Sequence, residues 1–284
     1  MAQAARVAME GGKVPPAGSG RHVLLTVDVG NTHSVLALFR GNQVLHTWRL
    51  RTERAATADE LAMGLCDLLG YRGLSLGAVE GLAIASVVPP LGSVWAEIAR
   101  MYLHCPSLIV DSATCAGLEL DVERPQEVGA DRIADGVAVW RLYGAPSVVV
   151  DCGTATKVDA IGAGGRYLGG VIAPGIGTAS EALFNAAALL ARVDLAAPPR
   201  ALGRTTATQL QAGIVYGSAA MIDGLVDRVR TEMGGAQRVV ATGGFAPYVA
   251  PVSRTITEVA PQLTMHGLRL IYEFHQAGGG ERGE

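Results

Sequence analysis

The sequence predicts an α/β protein built from two related half-domains that face each other. One pattern occurs twice, at residues 26–38 and 149–161: an apolar strand, Asp-x-Gly, a turn with hydroxyl or amide side chains, and a second apolar alternation. The two aspartates, Asp28 and Asp151, are separated by close to half of the 284-residue chain. A self-similar unit at that period indicates an internal duplication. Strand and helix signals also alternate along both halves, which is typical of α/β proteins.

In the first half, each element has its own local signal. Apolar runs and alternations predict strands at 23–29, 34–39, 43–50, 81–88 and 107–110. Thr57 and Glu60 form a capping box that opens a helix, and leucines then follow at helical spacing. Helical periodicity predicts two more helices, at 91–103 and 131–142.

The second half repeats this plan. Two strands surround the Asp151 turn: one is predicted at 147–151 and the other directly after the turn. Further strands are predicted at 167–172 and at 238–242. Helices are predicted at 179–190 and from Thr206 to about Arg230, where Thr206 and Gln209 resemble a second capping box. A last helix or strand covers 263–275.

These signals divide the chain into four segments. The first half-domain is expected at 22–140 and the second at 141–276. Residues 1–21 are rich in Ala and Gly and lack a continuous apolar run, so they are expected to form a disordered leader instead of a signal peptide. Residues 277–284 are expected to form a disordered tail.

Composition excludes several classes of function. The net charge of −3 offers no basic surface for nucleic acid. No apolar run approaches the roughly 18 residues that span a bilayer, so no membrane partner is expected. The four cysteines, which form no C-x-x-C pair, are expected to be buried free thiols in a reducing cytoplasm.

The repeated hairpin suits phosphate binding. Glycine allows a tight turn and a close approach of backbone to ligand. Successive N–H groups and threonine hydroxyls can cradle phosphate oxygens, and an aspartate at the strand end can hold a hydrated magnesium ion. One such turn is common in ordinary sheets, but two copies at half-chain spacing favour a phosphate site.

Two further segments carry candidate chemistry. Asp131 and Arg132 begin a predicted helix; an arginine is unfavourable there, so the pair suggests a site as well as an ordinary helix start. Aspartate can accept a proton from an alcohol during phosphoryl transfer, and arginine can take a carboxylate or phosphate. Gly243 and Gly244 form a turn that either admits an adenine ring or only enters a helix. The glycine-dense segment 169–177 is either a flexible wall or a tight crossover.

Two Asp-x-Gly hairpins followed by a Gly-Gly turn resemble the superfamily of actin, the Hsp70 chaperones and sugar kinases. Within it, an ordered set of motifs is similar to the type III pantothenate kinase family. The set comprises Asp28–Thr32, Trp48–Leu50 with Thr57–Glu60, Ser86–Pro89, Gly129–Arg132, Asp151–Thr156, Gly169–Gly175, Thr206 with Gln211–Gly217, and Ala241–Gly244. The resemblance implies duplicated actin-like (ribonuclease H-like) domains with the active site in the cleft between them.

The resemblance also implies an ATP-dependent kinase for the primary hydroxyl of pantothenate, the first step of coenzyme A synthesis. Asp131 would be the general base, and Arg132 would take the carboxylate of pantothenate. The substrate would contact Gly129, Ala130, Asp131, Arg132 and Thr206. ATP would contact Thr154 and the first phosphate loop, which consists of Asp28, Val29, Gly30, Asn31, Thr32, His33, Ser34 and Val35. The implied cofactors are magnesium, near Asp28, and a monovalent cation, potassium or ammonium, on Asp151. Family members are typically homodimers, with Thr206 beside or across the interface.

Six positions depart from the family pattern: Thr205, Asp135 and Gly136 are three of them, and the other three bear more directly on the expected site. Val122 stands where many members have a tyrosine that walls the pantothenate pocket, and Arg124 replaces an asparagine. Lys157 follows Thr156 where a small or hydroxyl residue is usual. A lysine there could pair with an ATP phosphate or compete with the monovalent cation, and the hypothesis is that it lowers the cation requirement.

Two other functions fit parts of the sequence. A catalytically weak or inactive relative could act as an accessory or regulatory nucleotide-binding protein, although such a module has no need of a base. A kinase for another small hydroxylated acid is a further alternative, with Val122 reshaping the pocket.

Overall fold

The structure, a computed structural model, describes residues 23–187, 190 and 192–278. The predicted leader at 1–21 lies outside the described residues, as does most of the predicted tail. Two sheets carry the fold. The first contains β1 (Val23–Val29), β2 (His33–Arg40), β3 (Gln43–Arg51), β4 (Gly81–Ser86) and β5 (Ser107–Ile109). The second contains β6 (Glu119–Leu120), β7 (Ser147–Cys152), β8 (Ala155–Gly162), β9 (Arg166–Pro174), β10 (Arg238–Thr242) and β11 (Glu258–Val259).

The two sheets share one strand order. The first runs β3-β2-β1-β4-β5, and the second repeats it as β9-β8-β7-β10-β11. In both, an antiparallel hairpin is followed by a parallel strand that returns beside the first one. Strand β6 breaks the symmetry because it precedes the second repeat in sequence yet pairs with β9. The division of the chain at residues 140 and 141 therefore stays a prediction.

The helices form three layers around these sheets. Helices α1 (Ala58–Gly70) and α2 (Pro89–Ile98) pack on the outer face of the first sheet, and a short π-helical turn at Ala99–Leu103 extends α2. Helices α4 (Ile176–Ala186), α5 (Thr206–Glu232) and α6 (Ala246–Val249) cover the outer face of the second sheet.

Helices α3 (Ala130–Tyr143) and α7 (Leu263–Gln276) share one core with residues from both sheets. The two helices touch closely at Gly267, where a Cβ would come within 1.9 Å of the Ala134 carbonyl oxygen. The C-terminal helix thus returns to the first sheet and joins the two halves. No helix among the described residues is both long and apolar enough to cross a bilayer.

Most predicted elements are confirmed, with several corrections. The capping box of α1 forms as predicted, between Thr57 and Glu60. The box of α5 is formed by Thr205 and Thr208, so the prediction of Thr206 and Gln209 was wrong by one residue. The helix predicted at 179–190 begins earlier and ends at Ala186, and the last element, predicted as a helix or strand, is helix α7.

The cysteines differ in burial. Cys115 and Cys152 are buried, as predicted, whereas Cys105 is half-buried and Cys66 is exposed on α1. Cys66 faces away because the buried stripe of α1 is occupied by Ala62, Leu65 and Leu69. All four thiols are free.

Candidate active site

Three aspartates from different elements meet where the two halves face each other. Asp28 lies one residue before the end of β1, Asp151 occupies the matching place on β7, and Asp131 is in the first turn of α3. Burial, and then the charges of Asp131 and Asp151, raise the pKa of Asp28 to about 8. The duplicated strand order explains the convergence, since it brings the equivalent strand ends of both halves to one cleft.

Lys157 lies among these carboxylates. Its Nζ donates to Asp131 Oδ2 and, at 2.9 Å, to Asp151 Oδ2, and its side chain is only 19% exposed. Burial disfavours the charged ammonium, but the negative charges of Asp151 and Asp131 outweigh burial and raise the pKa of Lys157. Lys157 is therefore a protonated cation in the centre of the site.

Two glycines make room for these carboxylates. A Cβ at Gly129 would come within 2.5 Å of Asp131 Oδ1. Gly243 has a φ of +87°, and a Cβ there would lie 2.5 Å from Asp151 Oδ1. The sequence singles out the Gly243–Gly244 turn as a place for an adenine ring. In the structure, this turn also allows Asp151 to approach the end of β10 closely.

Arg132 points away from the aspartate cluster. Its Nε donates to Asp159 Oδ1 at 3.1 Å, and the Tyr167 hydroxyl donates to the same oxygen at 2.8 Å. Asp159 is buried. The guanidinium predicted to take the pantothenate carboxylate is thus already bound to an internal carboxylate. Nothing in the sequence pattern indicated Asp159 as its partner.

The two phosphate loops touch through their hydroxyls. Thr32 and Thr154, both exposed, are 3.2 Å apart across the cleft. Two other polar side chains of the first loop are bound within their own half: Asn31 accepts from Arg54, and Ser34 pairs with Thr52. Val29 is buried in the core beneath α1 and α2, and Val35 packs on the core that α3 and α7 share with both sheets. Each can therefore offer a phosphate only its backbone.

Arg49 of β3 lies beside the candidate site, although no role was assigned to it within the sequence motif Trp48–Leu50. Its Nη2 lies 3.3 Å from His33 Nδ1, and a Cβ at Gly244 would come within 2.9 Å of its Nη1. Arg49 therefore reaches from the first half to the Gly-Gly turn of the second half. The sequence signal that could have indicated Arg49 is the alternation of side chains along β3. Arg49 is paired with Val35 in the β2–β3 register, so the two side chains leave the sheet on the same face.

Asp135 lies one helical turn after Asp131. It is buried and accepts from the Thr264 hydroxyl at 2.7 Å. Burial and the nearby charge of Asp151 raise its pKa well above the usual value. The spacing of four residues from Asp131 is the sequence signal that could have placed it on the same helix face.

The other predicted positions lie apart from the cluster. Thr206 is the first residue of α5 and lines a groove of about 570 Å³ between α4 and α5. None of the three clustered aspartates lines that groove. Val122 packs on the central core near Gly169, and Arg124 pairs with Glu127 on the surface at 2.9 Å.

The two implied cations fit differently. No group of three or more His, Cys, Asp or Glu side chains within the described residues could hold a metal ion. Magnesium needs few carboxylates when ATP phosphates and waters complete its shell, so Asp28 fits it. A monovalent cation on Asp151 does not fit beside Lys157, since the ammonium already bonds Oδ2 and would repel a second cation.

The chain is similar to known proteins over most of its length. A family model described as type III pantothenate kinase matches residues 24–228. The type III pantothenate kinase of Moorella thermoacetica is 47% identical over 251 residues, which cover 88% of this chain and 99% of that protein. That of Thermomicrobium roseum is also 47% identical, covering 88% of this chain and 97% of its own length.

Solved structures share the fold at low identity. A protein from Campylobacter jejuni described as a Baf family transcriptional activator has a TM-score of 0.55 at 19% identity, covering 89% of this chain and 99% of that chain. Component A of (R)-2-hydroxyglutaryl-CoA dehydratase from Acidaminococcus fermentans has a TM-score of 0.52 at 16% identity, covering 90% and 99%. Together with the repeated strand order, these likenesses confirm the predicted fold of two actin-like halves.

Proposed function

The chain belongs to the type III pantothenate kinase family, and on that premise we propose that it transfers the γ-phosphate of ATP to the primary hydroxyl of pantothenate. The product is phosphopantothenate, and the reaction opens coenzyme A synthesis. The observation that carries the proposal is the convergence of Asp28, Asp131 and Asp151 at the cleft between the two halves. An accessory protein without chemistry has no use for such a costly cluster of carboxylates that are largely removed from water.

Asp131 is the general base of the proposed reaction. The hydroxyl oxygen of pantothenate bonds to the γ-phosphorus while the bond to the β,γ-bridging oxygen breaks, and ADP leaves. The hydroxyl proton passes to the Asp131 carboxylate. Such transfers depend mainly on positioning and charge neutralisation, so a carboxylate within hydrogen-bond reach of the alcohol suffices.

The phosphates are held by the two hairpin turns. Backbone N–H groups of the first loop and the hydroxyls of Thr32 and Thr154 supply donors from both sides of the cleft. Asp28 would hold magnesium, which would supply neutralisation of the negative charge on the transferred group. Arg49, beside the Gly244 backbone, offers a further cation on the nucleotide side.

The pantothenate end of the site is formed by Gly129, Ala130 and Arg132 at the start of α3. Because Arg132 is bound to Asp159, it takes the pantothenate carboxylate only by sharing its remaining donors or by leaving that pair. Val122 contributes an apolar wall at the position where the family pattern implies a tyrosine.

A homodimer completes the proposed site. Helix α5 exposes small residues along one face, at Gly213, Gly217, Ala220 and Gly224. A Cβ at any of the three glycines would meet open space, so a second helix can approach closely there. Thr206 begins the same helix and would reach pantothenate from the partner subunit. The free thiols fit a reducing cytoplasm.

The test is ATP consumption coupled to pantothenate with magnesium present. We expect pantothenate-dependent turnover, and we expect Asp131→Asn to lower kcat by about a hundredfold or more, the usual contribution of a general base. Asp67→Asn, on the outer helix α1, is the matched control and should leave kcat unchanged.

Two results would contradict the proposal. Turnover with a related hydroxy acid but not with pantothenate would favour the kinase of another small acid. A folded protein that binds ATP but turns over neither substrate would favour the accessory role.

A further inference from the structure

Lys157 and Asp151 are cross-strand partners. In the antiparallel pair of β7 and β8, Asp151 lies directly opposite Lys157. Side chains at opposed positions leave the sheet on the same face. The ammonium therefore reaches the Asp151 carboxylate from the neighbouring strand without any distortion of the hairpin.

The duplicated hairpin shows that the lysine is not a requirement of the fold. In the first hairpin, the residue opposite Asp28 is Val35, whose side chain packs on the central core. Two hairpins of the same build thus place an aliphatic side chain and an ammonium at the corresponding place. The cation belongs to the chemistry of the second hairpin.

The choice of lysine is also unusual for this chain. Of its 23 lysine and arginine residues, only Lys13 and Lys157 are lysines. An ammonium is a compact point charge with three donors, whereas a guanidinium is a flat fork. Of the two, the ammonium more closely resembles a small monovalent cation.

The ammonium stands at the junction of the base and the second phosphate turn. It bonds to Asp131 at the start of α3 and to Asp151 near the end of β7, the strand that precedes the turn with Thr154. A potassium ion bound to Asp151 would have to displace it or share Asp151 with a like charge at short range.

We propose that Lys157 is the built-in monovalent cation of this kinase: its ammonium takes the place of bound potassium or ammonium, and the chain needs neither. The inference rests on the proposed kinase function. It replaces the assignment of Asp151 to an external cation with an assignment to the chain's own side chain.

The first test is the cation dependence of the full-length protein. Pantothenate-dependent turnover is measured with magnesium in buffers whose monovalent cation is tetramethylammonium, and again with potassium or ammonium added. We expect kcat/KM to change by less than about twofold, because the local charge is already supplied. A rise of about tenfold or more on adding potassium would overturn the inference.

The second test uses a matched pair of variants. Lys157→Thr removes the ammonium and leaves space, so we expect turnover to fall in tetramethylammonium and to recover with potassium or ammonium. Lys157→Met removes the charge but keeps a side chain of similar length, so the space stays filled and neither cation should restore turnover. Equal failure of both variants in every cation would mean that Lys157 has a structural role only, and the inference would be wrong.

A binding measurement separates this inference from the proposed function. Thermal unfolding is followed without substrates in potassium and in tetramethylammonium. We expect potassium to raise the unfolding midpoint of Lys157→Thr but not that of the wild type, since a ligand stabilises the state that binds it. If neither the wild type nor the variant turns over pantothenate, the kinase proposal fails. The unfolding midpoints still show whether potassium binds in place of the Lys157 ammonium. A specific rise in the wild type would overturn it.

Discussion

At the scale of single residues, burial separates ion pairs that look alike in sequence. Arg132 and Asp159 form a pair in which the side chains are 14% and 1% exposed. Arg238 and Glu258 form another, with 42% and 37% exposed. A buried pair that loses one partner leaves an uncompensated charge, whereas an exposed pair is largely solvated by water.

Asp159→Asn should therefore destabilise the protein strongly. We expect the free energy of unfolding to fall by about 3 kcal/mol, because Arg132 would stay buried without a counter-charge. Glu258→Gln is the matched control, with an expected loss of less than about 1 kcal/mol. Urea unfolding of both variants provides the comparison.

The same experiment bears on substrate binding. If Asp159→Asn costs no more than the control, Arg132 is held only loosely by Asp159 and is free to turn to the pantothenate carboxylate. A large loss would instead mean that Arg132 acts on the substrate from its place on Asp159.

At the scale of elements, the start of α5 divides two roles between neighbouring threonines. Thr205 is the N-cap, and its hydroxyl accepts from the Thr208 backbone N–H at 3.2 Å. Thr206 is already helical and is not the cap of the helix. Stability and substrate contact should therefore respond to different substitutions.

Thr205→Ala should lower the free energy of unfolding by about 1 kcal/mol, the usual cost of a lost N-cap. Thr206→Ala should leave stability nearly unchanged and raise the KM for pantothenate, because alanine is a good helix former and only the substrate contact is lost. Chemical denaturation and steady-state kinetics measure the two effects. If the KM for pantothenate rises in Thr205→Ala but not in Thr206→Ala, the substrate contact belongs to Thr205 and the prediction is wrong.

At the scale of the whole molecule, the exposed small-residue face of α5 predicts how subunits pair. Gly217→Phe should fill the space into which a second α5 would pack, so we expect a monomer by light scattering. Gly64→Phe, on the exposed side of α1, is the matched control and should leave the dimer intact. We expect the monomer to lose pantothenate turnover as well, since Thr206 would be contributed by the partner.

Two results would contradict the dimer model. A Gly217→Phe protein that stays dimeric would move the interface away from α5. A monomer with full turnover would mean that the site is complete within one chain.

Much of the architecture was predictable because its signals are local. The bounds of β1 and β10 and the capping box at Thr57 follow from neighbouring residues, and all agree with the structure. The duplication was also predictable, since two copies of one pattern are visible in a single chain. The box of α5 was misplaced because Thr205 and Thr206 are chemically equal candidates and only the backbone geometry selects one.

Contacts between distant segments were not predictable. Strand β6 joins the second sheet, although it precedes helix α3 and the second hairpin in sequence. Arg132 has its partner on β8, and the ammonium of Lys157 also reaches α3. No periodicity or spacing reports which distant side chains meet.

By itself, the sequence determined the fold class, the duplicated hairpins and the kinase family, because these depend on the order of residues along the chain. Only the tertiary structure decided that Lys157 lies between Asp131 and Asp151 and that Arg132 is held by Asp159. The physical reason is that charge interactions depend on distance and burial in space. Both are set only when the two halves and the helices between them pack together.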